Sequence, residues 1–134
     1  MNMTNFMKSN WVLFAILLAG WLFQCSNQVM TDNRDFGISA PEVKARIDAK
    51  AEFLLLDVRT ADEYYAGHIE KARLFPAKDI FLNITQLPKD QDIILYCSDG
   101  TRSLLVSRHL HENGFLRVRR MNGGIKSWSW SLIK

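Results

Sequence analysis

The stretch Ile93-Ile94-Leu95-Tyr96-Cys97-Ser98-Asp99-Gly100-Thr101-Arg102 decides how this chain is read. Four apolar or aromatic residues in a row mark a strand buried on both faces. The polarity then changes within one residue, and every position from Ser98 to Arg102 is polar or glycine. A helical pattern covers residues 102–113, with Gly114 as its stop. A buried strand that turns at once into a helix puts Cys97 at the carboxyl end of the strand, where open parallel sheets hold their ligands. Gly100 allows the backbone to curl and aim successive N–H groups inward, and the helix start adds positive partial charge. These features favour a thiolate over a thiol. Cys97 therefore reads as a nucleophile of lowered pKa rather than as a small core side chain.

The flanking sequence supplies the rest of an alternating fold. Ser39-Ala40-Pro41-Glu42 has the form of a capping box with proline in the first turn, and Val43 and Ile47 follow on one face. Phe53-Leu54-Leu55-Leu56-Asp57-Val58 is a second apolar run, and it ends in charge. Thr60-Ala61-Asp62-Glu63 repeats the capping pattern, and Gly67 closes the short helix it starts. Residues 72–75 read as a brief strand stopped by Pro76, and residues 78–87 as containing a short helix. Val118 falls in a last strand, and Asn122-Gly123-Gly124 leads into a C-terminal helix holding Trp128 and Trp130. Strands alternating with helices predict an α/β fold, with a mostly parallel central sheet and helices on both faces.

With 134 residues, 48% of them apolar, the chain has room for one domain and an adequate core. Its net charge of +3 is mild. The one basic cluster, Arg117, Arg119 and Arg120, lacks the interleaved aromatics of a nucleic-acid surface and reads as a solvated strand end, so no nucleic-acid partner is expected. The first 25 residues differ in kind. Residues 1–10 are polar with a single cation, Lys8, and residues 11–23 are apolar throughout apart from Gly20. That run is shorter than the roughly 20 residues that cross a bilayer, and it has no polar stripe. Residues 1–25 are accordingly expected to be a signal peptide or N-terminal membrane anchor, residues 26–36 a linker, and residues 37–134 the domain. No A-x-A-like pair of small residues follows the run, which leaves cleavage and retention both open. Cys25 stands where a lipoprotein carries its lipid, but behind Phe23 and Gln24 rather than small residues. In either case the domain is expected to be exported and periplasmic, soluble or anchored to the membrane. Cys97 is then an unpaired, reactive thiol.

Three fragments in order carry a resemblance. Leu56-Asp57-Val58-Arg59 with Glu63-Tyr64, Gly67-His68-Ile69, Ala72 and Pro76 is similar to the first signature of rhodanese domains. Cys97 to Arg102, then Ser103, resembles their active loop, and Gly123-Gly124 with Trp128 resembles their closing motif. The match covers residues 37–130 and points to the single-domain members, some of them periplasmic. Two positions depart from the pattern: Lys71 stands where the family usually has glycine, and Leu74 where it often has asparagine.

The resemblance implies a rhodanese-like fold and a sulfurtransferase that carries a sulfane sulfur as a persulfide on Cys97. The donor would be a small molecule such as thiosulfate, and the acceptor cyanide or a thiol, including a thiol on a protein. No metal or organic cofactor is implied, and a monomer is the default. Arg102 would turn its guanidinium to the loop mouth to hold an anionic substrate, or else form an ion pair at the helix start. Ser98, Asp99, Gly100 and Thr101 complete the substrate-binding loop, with the Asp99 carboxylate facing solvent and weakening affinity for a dianion. Asp57, Arg59, Glu63 and His68 are read as support, with Asp57 and Arg59 bracing the loop and His68 making a structural hydrogen bond. Two other functions remain on the sequence. One is a rhodanese-fold binding module without catalysis. The other is a cysteine-dependent phosphatase, whose loop has five residues between cysteine and arginine where this one has four.

Overall fold

The computed structural model describes residues 36–134. The apolar run 11–23, Cys25 and the linker as far as residue 35 lie outside the described residues. Five strands form one sheet: β1 (Gly37–Ile38), β2 (Leu54–Asp57), β3 (Arg73–Leu74), β4 (Ile93–Tyr96) and β5 (Val118–Met121). Their order is β1-β5-β4-β2-β3, and every pairing is parallel. Between them run α1 (Ala40–Asp48), α2 (Ala61–Ala66), α3 (Ala77–Leu82) and α4 (Thr101–Glu112), with 3-10 turns at Ile84–Gln86 and Gly124–Ser127. This is the α/β architecture that the alternating pattern predicts.

The central strand is β4, flanked by β2 and β5, and its four residues are at most 1% exposed. Burial of each such side chain stabilises the fold by about 1.5–3 kcal/mol. Successive residues of a strand point to opposite faces. Ile93, Leu95 and Cys97 accordingly join one core with Leu56, Ile80 of α3, and Val106 and Leu110 of α4. Ile94 and Tyr96 join the other, with Leu55, Ile69 and Val43 and Ile47 of α1. The parity of the strand thus sets the Cys97 side chain beneath α3 and α4.

Both expected N-caps form. Ser39 accepts from the Glu42 N–H at 3.3 Å, and Thr60 and Glu63 make the full reciprocal box. The basic cluster is solvated only in part: exposed Arg117 pairs with Asp92 and Arg119 with Glu42, whereas Arg120, inside β5, has a buried Nε and donates through Nη1 to Asn122. Phe36, counted with the linker on sequence, accepts the Arg120 N–H at 2.8 Å and stacks its ring on His111. At Lys71, φ is +66°, the left-handed conformation that suits glycine.

The expected C-terminal helix is not there. Residues 124–127 make a single 3-10 turn, and Trp128 and Trp130 lie beyond it. The turn ends at Trp128, whose backbone is extended (φ −83°, ψ 113°) and whose N–H donates to the Ile125 carbonyl. Its first amides, which a helix start leaves free, dock it onto the Cys97 loop: Ile125 N–H and Lys126 N–H donate to the Cys97 and Ser98 carbonyls at 2.8 and 3.1 Å. The chain then runs back to His68, whose backbone exchanges two hydrogen bonds with Ile133.

Candidate active site

Cys97 is the first residue after β4, and its side chain is fully buried. Gly100 takes a φ of +98°, which a glycine adopts without strain, and caps α4. That curl brings the Gly100 N–H to 3.2 Å and the Ser103 N–H to 3.4 Å from the Cys97 sulfur. The carbonyls of the same segment are drawn the other way by Ile125 and Lys126, so the loop presents amide hydrogens on its inner side. Behind it, the contact is as close as backbone allows. A Cβ on Gly124 would lie 2.5 Å from the Cys97 carbonyl oxygen and 2.6 Å from the Ser98 carbonyl carbon.

Burial pushes the Cys97 thiol up, but hydrogen bonds from Ser103, Asp99 and Gly100 outweigh it and hold the thiol below its ordinary value. The Ser103 hydroxyl lies 3.6 Å from the sulfur and donates to the Gly100 carbonyl at 3.0 Å. In the thiol form the Cys97 S–H donates to this hydroxyl oxygen, and the hydroxyl must turn from the Gly100 carbonyl to donate to a thiolate. Ser103 enters the sequence reading only as the last residue of the loop motif, yet it contributes two of the atoms around the sulfur. The signal that finds it is geometric: the first turn of a helix aims its free N–H groups at whatever its N-terminus covers.

Arg102 does not turn to the loop mouth. Its two terminal nitrogens grip the Glu63 carboxylate at 2.8 and 2.6 Å, and Nη2 also donates to the Ser98 hydroxyl oxygen at 2.8 Å. Ser98 donates in turn to Glu63 at 2.8 Å. The ion pair at the helix start is the arrangement adopted, and Glu63 becomes the residue that ties α2 to the loop. The Arg102 guanidinium holds the Glu63 carboxyl well below the usual carboxylate range, against a smaller opposing effect of burial and with further help from Thr60 and Ser98.

Asp99 is exposed, as expected, but it also folds back. Its Oδ1 accepts the Thr101 N–H at 3.0 Å and stands 4.0 Å from the Cys97 sulfur. The Thr101 hydrogen bonds lower its pKa.

Asp57 and Arg59 do not brace the loop directly. They form a buried ion pair at 2.7 Å, and Arg59 spends its remaining Nη2 bond on the Gly67 carbonyl at 2.7 Å. Asp57 is buried at the end of β2, so its charge needs a partner close by, and Arg59 two residues on supplies it. The pair fixes the β2 end against the turn after α2, and so positions Glu63 at one remove. His68 has the structural role expected of it: Nδ1 is 3.2 Å from the Tyr64 carbonyl, and the ring stacks on Tyr64.

Comparison with known proteins agrees with this geometry. The model of the rhodanese-like domain matches residues 39–130. A sulfurtransferase of Allochromatium vinosum is 33% identical over 92 residues, which span 69% of this chain and 86% of that one. A tRNA uridine(34) hydroxylase of Escherichia coli is 36% identical over 95 residues, which cover 66% of this chain but only 27% of the hydroxylase. Among solved structures, a rhodanese-like domain protein from Staphylococcus aureus superposes with a TM-score of 0.67 at 28% identity, covering 72% of this chain and 95% of that one. The chain belongs to the rhodanese-like domain family, and its relationships support a sulfurtransferase-like role.

Proposed function

We propose that the chain moves a sulfane sulfur from a donor to a thiophilic acceptor through a persulfide on Cys97. The observation that carries this reading is the Cys97 sulfur held under two backbone N–H groups at the start of α4. The Cys97 thiolate attacks the outer sulfur of the donor, the donor's S–S bond breaks, and the remainder leaves as an anion with the bonding pair. The acceptor, a thiolate or cyanide, then attacks the outer sulfur of the persulfide, and the Cys97 thiolate departs from it. Neither step needs an outside oxidant or a proton from the protein. The charge that shifts along the sulfur chain stays within reach of the loop amides and the helix terminus, which were oriented when the domain folded.

Arg102 and Ser98 take part through Glu63, as the clamp that keeps the loop shaped. Phosphate transfer fits this site less well, because the guanidinium that would grip a phosphoryl group is already paired with a carboxylate. The test is initial-rate kinetics with the full-length chain, varying a sulfane donor against cyanide. Two covalent half-reactions give parallel double-reciprocal lines. Cys97→Ser abolishes turnover on this reading, and a variant that keeps it would remove Cys97 from the mechanism.

A further inference from the structure

The chain has two Asn-Gly pairs, Asn113-Gly114 and Asn122-Gly123, and all their residues are exposed. An asparagine before glycine is open to loss of its side-chain amide without an enzyme, because glycine has no side chain to keep its nitrogen from the Asn Cγ. The two pairs are held differently. At the first, the Gly114 N–H donates to the His111 carbonyl at 3.0 Å, and Asn113 Nδ2 donates to the His109 carbonyl at 2.8 Å. The attacking nitrogen and the leaving amide are both tied to the end of α4. At the second, the Gly123 N–H makes no hydrogen bond among the described residues. The Asn122 side chain is held by its oxygen instead: Arg120 Nη1 donates to Oδ1 at 3.0 Å.

The contacts at Asn122 fall on the atoms where charge develops. Deprotonation of the Gly123 nitrogen spreads negative charge onto the conjugated Asn122 carbonyl oxygen, which accepts the Ser127 hydroxyl at 2.8 Å. Attack on Cγ puts negative charge on Oδ1, where the Arg120 guanidinium donates. Lys89 gives the Asn113 carbonyl a comparable donor at 2.9 Å, so the pairs differ at the glycine nitrogen and at Oδ1.

We propose that Asn122 is a site of spontaneous conversion to isoaspartate, and that this modification loosens the backing of the Cys97 loop. Hydroxide takes the Gly123 amide proton, and the nitrogen attacks the Asn122 Cγ. The N–Cγ bond forms, the Cγ–Nδ2 bond breaks, and ammonia leaves with the bonding pair and a proton from water. Water then opens the succinimide. Opening at the backbone carbonyl routes the main chain through the side-chain carboxyl, and opening at the other carbonyl gives aspartate. The sum is uptake of water and release of ammonia, with no oxidation. The altered peptide adjoins the loop, since a Cβ on Gly100 would lie 3.4 Å from the Gly123 nitrogen. The isoaspartyl link adds a carbon to the backbone just before the amides of Ile125 and Lys126, which hold the Cys97 and Ser98 carbonyls. Displacing those amides releases the peptides that aim N–H groups at the sulfur.

The experiment incubates the full-length chain in mildly alkaline buffer at physiological temperature and maps the peptides carrying each pair by mass spectrometry over days. A gain of about 1 Da at Asn122 is expected, with isoaspartate as the main product, at a rate about ten-fold above that at Asn113. The pH midpoint of Cys97 alkylation should rise in step with conversion at Asn122, a readout that does not depend on sulfur transfer. Asn122→Gln keeps an oxygen for Arg120 but closes the larger ring far more slowly, and it should show neither change. Conversion at Asn122 no faster than at Asn113 overturns the site. Conversion that leaves the alkylation midpoint in place, or a midpoint that drifts equally in Asn122→Gln, overturns its link to the loop.

Discussion

Glu63 offers the most informative perturbation, because it performs two separable tasks. It closes the capping box of α2 through the Thr60 N–H, and it pairs with Arg102 and Ser98 of the loop. Glutamine can fill the same capping position but carries no charge, whereas alanine removes both functions. The ion pair is bidentate, but its side chains are 37% and 33% exposed, so solvent screens it to about 1 kcal/mol. The cap contributes about 1 kcal/mol more. Glu63→Gln should therefore lower stability by about 1 kcal/mol and Glu63→Ala by about 2 kcal/mol. In a domain of this size those losses correspond to about 5 °C and about 10 °C in Tm.

The pH dependence has a defined sign. The folded-state pKa of Glu63 is depressed, so its stabilisation is fully present above the unfolded carboxyl's value of about 4.3 and is lost as pH falls through the depressed one. Urea unfolding of wild type and Glu63→Gln at several pH values measures this. A gap of about 1 kcal/mol that is level from pH 8 to 5 and narrows toward pH 3 is expected. A gap absent at pH 7, or as large at pH 3 as at pH 7, would refute the reasoning.

Other outcomes follow from the loop geometry. Alkylation of Cys97 by iodoacetamide should show a midpoint below the roughly 8.5 of a free thiol, and Ser103→Ala should raise it; a wild-type midpoint at or above that value would remove the claim of an activated sulfur. Gly124→Ala drives a methyl into the backbone of residues 97–99, and denaturant unfolding should show a loss of about 3 kcal/mol or more together with slower sulfur transfer. Lys71→Gly relieves a left-handed residue away from the loop and should raise stability by about 1 kcal/mol in the same unfolding assay.

Much of this architecture was legible in the order of residues. β4 could be read because four consecutive apolar residues have only one comfortable place in an α/β domain, and α4 because its helical pattern ends at Gly114. Cys97 could be singled out because the chain changes character at that residue. The strand β1 was not legible: two residues show no alternation, and Gly37–Ile38 is a strand only because β5 lies beside it. The C-terminal turn was misread for a related reason, since the chain leaves it extended at Trp128 to bond with His68, which is distant in sequence.

The partner of Arg102 was the least predictable feature. On sequence, a guanidinium five residues after a nucleophile points to a substrate anion or to an ion pair at the helix start, without naming the carboxylate. The competing carboxylate of Glu63 lies 39 residues away and arrives only when α2 packs against the loop. Asp57 and Arg59 show the same limit. Their closeness in sequence was visible, but the bond of Arg59 to Gly67 rather than to the loop depended on where the chain turns after α2.

The central claim is that Cys97 carries the sulfur, and the intact mass of the full-length chain tests it most directly. The reduced protein is incubated with a sulfane donor, freed of excess reagent, and compared with Cys97→Ser treated alike. The account predicts the gain of one sulfur atom in the wild type, no gain in the variant, and return to the starting mass on adding cyanide. An unchanged mass with thiosulfate and with hydropersulfides, or an equal gain in the variant, would contradict it.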